Sequence, residues 1–107
     1  MVDPIPYFEK IRQKLSDEKL KKEFANFNRE VVFEFTDLGK QYTLKFSNGN
    51  LEILEGRTEK PHVEISTNSD TLAGIIDKKT NPVVAYMTRK IKVKGDMQDL
   101  LKLQKLM

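Results

Sequence analysis

The chain has 107 residues and a net charge of +3, with 38% hydrophobic and 33% charged residues and no cysteine. This length allows one domain, residues 1–107, with one core, and the composition predicts a soluble globular chain. Without cysteine there is no disulfide, catalytic thiol or thiolate metal site. No apolar run approaches the roughly 20 residues of a membrane span, and no secretory leader opens the sequence, so we expect a cytoplasmic location.

Two helices are predicted near the start of the chain. In residues 4–15 large apolar side chains recur at helical spacing behind Pro4 and Pro6, and Ser16 and Asp17 can cap a second helical segment. The apolar stripes of these two segments comprise Tyr7, Phe8, Ile11, Leu15, Leu20, Phe24 and Phe27.

From Glu30 the apolar period changes to two, which predicts strands over residues 31–35, 42–46, 51–55 and 62–66. Asn48-Gly49 is typical of a two-residue hairpin turn, and the polar residues 56–61 predict a crossing segment before the fourth strand. The first three strands therefore form an antiparallel meander. Because their large apolar residues fall on one face, helices must cover that face.

The last third alternates between helical and strand patterns. Ser69 and Asp70 are capping candidates for a helix that ends before residues 77–81, and Pro82 begins a short helix. Residues 90–94 (Lys-Ile-Lys-Val-Lys) alternate strictly, which predicts a fifth strand, and a last helix follows Gly95. The predicted fold class is α+β: a five-stranded, mostly antiparallel sheet made of a three-strand meander, a crossover and two further strands, with helices covering one face.

The C-terminal quarter contains a set of residues in a recognisable order: Ala85, Tyr86, Met87, Lys90-Ile91-Lys92-Val93, Gly95, Met97, Lys102-Leu103-Gln104 and Leu106. This set resembles the signature of the sterol carrier protein type 2 family. The predicted order of elements also agrees over nearly the whole chain. The resemblance implies a stand-alone, prokaryotic-type sterol-carrier-like domain that encloses an apolar tunnel between sheet and helices.

The resemblance also implies which side chains line the tunnel. The sheet would contribute Phe33, Leu44 and Ile53, and the helices would contribute Leu72, Ile76, Val83, Val84, Met87, Leu100 and Leu103. Gln104 is the candidate for the polar contact to a lipid headgroup, with a plain surface glutamine as the alternative. The same apolar residues would also fill the core of a small domain that binds nothing.

Arg89 is a departure from the family, which usually has glycine at this position. Glycine permits an unusual backbone turn there, and arginine does not adopt it freely. Either the turn is ordinary in this chain, or the entrance differs and Arg89 reaches toward a ligand headgroup.

The expected function is non-catalytic binding and transfer of a long apolar lipid: a fatty acid, acyl-coenzyme A, isoprenoid or sterol-like molecule. His62 is the only histidine, and no metal-ligand spacing, triad or phosphate-binding glycine loop is visible, so we predict no enzyme activity, metal or cofactor. One alternative is an accessory domain that docks a lipid- or quinone-pathway enzyme.

A further alternative is a basic surface that binds an anionic membrane or nucleic acid through the Lys-rich stretch 89–94. Nucleic acid is the weakest of these partners, because no aromatic residue is interleaved with the lysines to stack on bases. The lysines equally suit an edge strand that resists aggregation.

Overall fold

One sheet of five strands is packed against five short helices. The computed structural model describes residues 1–107. The helices are α1 Ile5–Lys14, α2 Glu18–Glu23, α3 Ser69–Ile76, α4 Pro82–Met87 and α5 Met97–Leu103, and a 3-10 turn covers Gln104–Leu106. The strands are β1 Arg29–Phe35, β2 Lys40–Ser47, β3 Asn50–Glu55, β4 Val63–Thr67 and β5 Lys92–Gly95. None of the helices is long and apolar enough to cross a membrane.

The strands are ordered β3-β2-β1-β4-β5 across the sheet. β1 pairs in parallel with β4, and the other three pairs of neighbours are antiparallel. Phe33 lies at the centre of this arrangement, opposite Tyr42 on one side and Ile65 on the other. The predicted α+β class and the mostly antiparallel sheet are thereby confirmed.

Aromatic side chains fill the space between α1, α2 and the meander. The Phe8 ring of α1 lies 5.2 Å from the Phe33 ring and 5.6 Å from the Tyr42 ring, and Phe27 lies 5.4 Å from Phe46. Burying one such side chain fully is worth about 1.5–3 kcal/mol. This cluster anchors α1 and α2 over β1, β2 and β3, so the β4 and β5 end of the same face is left to α3, α4 and α5.

The crossing segment explains two buried residues on the opposite face of the sheet. Val32 and Thr43 are paired across β1 and β2 and are both almost fully buried. The Thr43 hydroxyl donates to the Gly56 carbonyl at 2.8 Å and accepts from the Thr58 N–H at 3.2 Å. These bonds hold the segment between β3 and β4 against the back of the meander.

Two predicted boundaries are wrong. The cap of α3 is Asn68, whose side chain accepts from the Thr71 N–H at 2.8 Å, while Ser69 and Asp70 lie inside the helix. β5 begins at Lys92 and not at residue 90. The reason is that the Lys90 N–H still bonds to the Ala85 carbonyl at 2.8 Å, so residues 88–90 belong to the turn that ends α4.

Candidate functional site

An apolar cavity lies between the β1-β4-β5 part of the sheet and helices α3, α4 and α5. Its volume is about 200 Å³, and 13 of its 16 lining residues are hydrophobic. The mouth faces solvent, since Val83 and Leu101 are each more than half exposed although they line it. A cavity with such a wall favours hydrocarbon over water.

Helix α4 forms one side of the mouth. Asn81 caps it, because the Asn81 side-chain oxygen accepts from the N–H groups of Val83 at 2.8 Å and Val84 at 3.3 Å, and Pro82 suits the first turn. This short helix directs Val83 and Tyr86 at the cavity. Only Ala85 of α4 is buried, so this helix of six residues lies on the surface of the domain.

Helix α5 forms the other side of the mouth. Asp96 caps it by accepting from the Gln98 N–H at 2.7 Å. Asp99, which is 9% exposed, accepts from Arg29 Nε at 2.9 Å and so ties α5 to the start of β1. With that contact on one flank, Leu100 and Leu103 face the cavity on the other.

The structure brings together six of the eleven residues expected to line a tunnel. The cavity wall includes Phe33, Leu72, Val83, Leu100, Leu103 and Gln104. The other five lie elsewhere: Leu44, Ile53 and Ile76 belong to or pack against the hydrophobic core, and Val84 and Met87 point outward from α4, 54% and 76% exposed. Leu44 and Ile53 do not line the cavity, because α1 and α2 already cover their part of the sheet.

Ten wall residues were not anticipated: Ile65, Thr67, Ile75, Pro82, Tyr86, Ile91, Val93, Met97, Leu101 and Met107. Ile65, Thr67 and Val93 alternate along β4 and β5, so their shared face was readable from the period of two. Thr67 is a polar member of the wall, but its hydroxyl donates to the Lys90 carbonyl at 2.9 Å. Its donor is therefore used within the protein, which leaves the wall apolar there.

Arg89 keeps the backbone turn that glycine would supply. Its φ is +63°, in the left-handed region, and the N–H groups of Arg89 and Lys90 bond to the carbonyls of Tyr86 and Ala85 at 3.2 and 2.8 Å. This is a Schellman motif at the end of α4. The Arg89 side chain does not line the cavity; it lines a shallow depression beside it that shares Tyr86, Ile91 and Val93 with the cavity wall.

A charged cluster joins α1 to the end of α3. Asp77 accepts from Lys10 Nζ and from the Tyr7 hydroxyl, both at 3.0 Å. The hydrogen bond from Lys10, followed by that from Tyr7, holds the pKa of Asp77 below its usual value. The same hydrogen bonds to Asp77 raise the pKa of Tyr7 and of Lys10.

No group of three or more His, Cys, Asp or Glu side chains is arranged to hold a metal ion. His62 has a structural contact instead: its Nδ1 accepts from the Glu30 N–H at 3.0 Å, next to the start of β4. The chemistry that this arrangement supports is the binding of an apolar molecule.

Comparisons with known proteins agree with this geometry. A family model described as the SCP-2 sterol transfer family matches residues 8–107. The hydroxysteroid dehydrogenase-like protein 2 of Bos taurus is 32% identical over 101 residues, which cover 94% of this chain but only 23% of that protein. The chain thus spans less than a quarter of that relative.

Solved structures share the fold. The sterol carrier protein domain 2 of Helicoverpa armigera has a TM-score of 0.79 at 21% identity, covering 96% of this chain and 84% of that one. The stereoselective inverting sec-alkylsulfatase of Pseudomonas sp. contains a similar region, with a TM-score of 0.74 at 23% identity, covering 81% of this chain and 14% of that one.

Proposed function

The chain belongs to the SCP-2 sterol transfer family, and on that premise we propose that its cavity binds the hydrocarbon part of a long-chain lipid, without catalysis, and that the chain transfers this lipid. The observation that carries the proposal is the wall of the cavity, in which 13 of 16 residues are hydrophobic and Thr67 has its donor satisfied internally. We place this function in the cytoplasm, as the cysteine-free composition suggests.

Energetics support a broad ligand class. Burying one methylene is worth about 0.8 kcal/mol, so a chain of about sixteen contributes some 13 kcal/mol against an association cost of about 4–15 kcal/mol. One carbon more or less changes such binding only modestly. The ligand is therefore a class that includes fatty acids, acyl-coenzyme A, isoprenoids and sterol-like molecules, with no single compound preferred.

The size of the cavity implies movement on binding. Sites for drug-sized ligands measure about 300–1,000 Å³, whereas this cavity measures about 200 Å³. A long chain therefore needs the mouth to widen. Helix α4 is suited to this, because it has only six residues and buries only Ala85.

A matched pair of variants tests the cavity. Val83 and Val84 are adjacent in the first turn of α4 and equally exposed, at 55% and 54%, but only Val83 lines the cavity. An aspartate at either position interacts similarly with the helix dipole. In Val83→Asp the ligand would cover a charge, which costs binding energy, so we expect at least tenfold weaker binding of an uncharged fluorescent long-chain alkyl probe. Val84→Asp should bind as the unmodified protein does.

Native mass spectrometry of protein purified from cells, followed by lipid extraction, provides the direct test. We expect lipids with long hydrocarbon chains to co-purify. Protein that is consistently empty and also fails to bind the alkyl probe would refute the proposal. If Val83→Asp and Val84→Asp lost affinity for the probe equally, the binding site would not be the cavity.

A second candidate function is docking to a lipid- or quinone-pathway enzyme. The observation that favours it is apolar surface outside the cavity: Val84 and Met87 of α4 are more than half exposed. In the hydroxysteroid dehydrogenase-like protein, the segment similar to this chain makes up only 23% of the protein and is therefore joined to a longer chain. A stable complex in pull-downs that is lost in Met87→Asp, combined with weak binding of free lipid, would favour docking over carriage.

A further inference from the structure

A polar cleft adjoins the apolar cavity at the end of α3, and we propose that it binds the anionic headgroup, a carboxylate or a phosphate, of the lipid whose chain fills the cavity. The inference rests on the function proposed above. The cleft measures about 560 Å³, and its polar lining includes Lys78, Lys79, Thr80 and Asn81. These residues form the connection between α3 and α4.

The cleft and the cavity are neighbours that share part of their lining. Ile75, Pro82, Gln104 and Met107 line both of them. Gln104 is exposed, makes no side-chain hydrogen bond within the chain and stands at their junction. A lipid lying across this junction would keep its hydrocarbon part among apolar side chains and its polar end beside lysines and amides.

The cleft is rich in donors and contains no acidic residue in its lining. Lys79 forms no ion pair, and Lys78 Nζ donates only to the backbone oxygen of Met107, the last residue of the sequence, at 3.0 Å. The Asn81 side-chain oxygen is occupied in capping α4, which leaves the Asn81 amide N–H groups free to donate. An anion is the ligand that such a set of groups recognises.

The positive field of the two lysines reaches neighbouring groups. Burial, and then the charge of Lys78, lowers the pKa of Lys14. The charge of Lys79 contributes, after the hydrogen bonds of Lys10 and Tyr7, to lowering the pKa of Asp77. Asp77 is the acidic group nearest in sequence, but its ion pair with Lys10 at 3.0 Å already neutralises it.

The backbone that carries the lysines is held in place. Lys78 has a φ of +65°, and the N–H groups of Lys78 and Lys79 bond to the carbonyls of Ile75 and Gly74 at 3.1 and 2.8 Å. This Schellman motif is continued by the Thr80 N–H, which bonds to the Gly74 carbonyl at 3.0 Å. The two side chains therefore start from an ordered turn at the cavity rim.

The depression at Arg89 is the competing position for a headgroup. It also touches the cavity wall and contains Lys92, but four of its six lining residues are hydrophobic. The cleft, in contrast, has two hydrophobic residues among eight and includes Gln104, the one side-chain amide in the cavity wall. These differences favour the cleft beside Lys78 and Lys79 as the headgroup site.

The test compares three ligands with the same chain: hexadecanoate, hexadecyl phosphate and uncharged hexadecanol, measured by displacement of the alkyl probe. Removing two partly exposed charges in Lys78→Gln/Lys79→Gln should weaken binding of both anions about 5- to 20-fold and that of hexadecanol less than twofold. Lys79→Gln alone, which disturbs no hydrogen bond, should give a smaller loss in the same direction. A larger loss for the phosphate than for the carboxylate would identify a phosphate headgroup, and the reverse would identify a carboxylate.

Two control pairs separate the outcomes. Lys19→Gln/Lys22→Gln on α2 lowers the net charge equally at exposed positions outside the cleft and should change nothing. Anion binding that is weakened by Arg89→Gln/Lys92→Gln and not by the Lys78 and Lys79 pair would overturn the assignment. The assignment would also be overturned if Lys78→Gln/Lys79→Gln weakened the binding of hexadecanol as much as that of the anions, or weakened the binding of none of the three ligands. If the unmodified protein binds none of the three ligands, the proposed function itself fails.

Discussion

Replacing Arg89 by glycine should stabilise the protein. Arg89 occupies the left-handed region at φ +63° and closes the Schellman motif of α4. Its side chain is exposed and forms no hydrogen bond or ion pair, so its removal costs no contact of that kind. The substitution therefore isolates the backbone conformation.

The size of the effect follows from two opposing contributions. A residue with a Cβ atom pays roughly 1–2 kcal/mol for the left-handed conformation, which glycine avoids. Glycine in turn loses about 0.4–1 kcal/mol more chain entropy on folding. The expected net gain for Arg89→Gly is about 0.5–1 kcal/mol in the free energy of unfolding, equivalent to a rise in Tm of about 2–8 °C for a domain of this size.

Urea unfolding and thermal melts of Arg89→Gly and Arg89→Ala measure this difference. Alanine removes the same side chain but keeps the conformational cost, so its stability should stay within about 0.5 kcal/mol of the unmodified protein. If glycine is no more stable than alanine, or if glycine destabilises the protein, the left-handed turn is not under strain and the reasoning is wrong.

Two further predictions concern contacts made elsewhere in the fold. A Cβ atom on Gly95, whose φ is +126°, would collide with the backbone carbonyl of His62, so Gly95→Ala should lose about 3 kcal/mol or more in urea unfolding. Gly56→Ala, at φ +95° but in open space, should lose less, and equal losses would mean that the collision is relieved at no cost. Because the pKa of Asp77 lies below its ordinary 3.8, its contribution to stability is present above that pH and is lost as pH falls through the lower folded-state value. The stability gap between the unmodified protein and Asp77→Asn should therefore close in acid, and NMR titration should show the raised pKa of Tyr7 falling toward 10.0 in the variant. A gap that is independent of pH, or an unchanged Tyr7 titration, would contradict the ion-pair account.

The types of the elements were readable from local patterns. The change of apolar period at Glu30 separates helices from strands, because side chains repeat every 3.6 residues in a helix and every two in a strand. Asn48-Gly49 marks the hairpin, with φ values of +52° and +79° at the two residues. The same periodicity identified the apolar face of each strand, including Phe33, which lines the cavity.

The sequence did not predict which residues of that apolar face line the cavity. Leu44 and Ile65 lie on the same side of the sheet, have the same periodic signal and both belong to the hydrophobic core, yet only Ile65 also lines the cavity. The difference arises because the Phe8 cluster anchors α1 and α2 over β1, β2 and β3. On α4, Val83 and Val84 are equally apolar neighbours, and the docking of the helix decides which one faces inward.

Local sequence therefore determined the elements, the turns and the apolar faces, since each depends on residues close together along the chain. Tertiary structure alone decided the parallel pairing of β1 with β4 and the position of the cavity. It also decided that Lys78 and Lys79 stand beside Gln104, a neighbour from a distant part of the sequence. These features arise where separate segments meet, and the energy that joins them comes from burying surface shared between those segments.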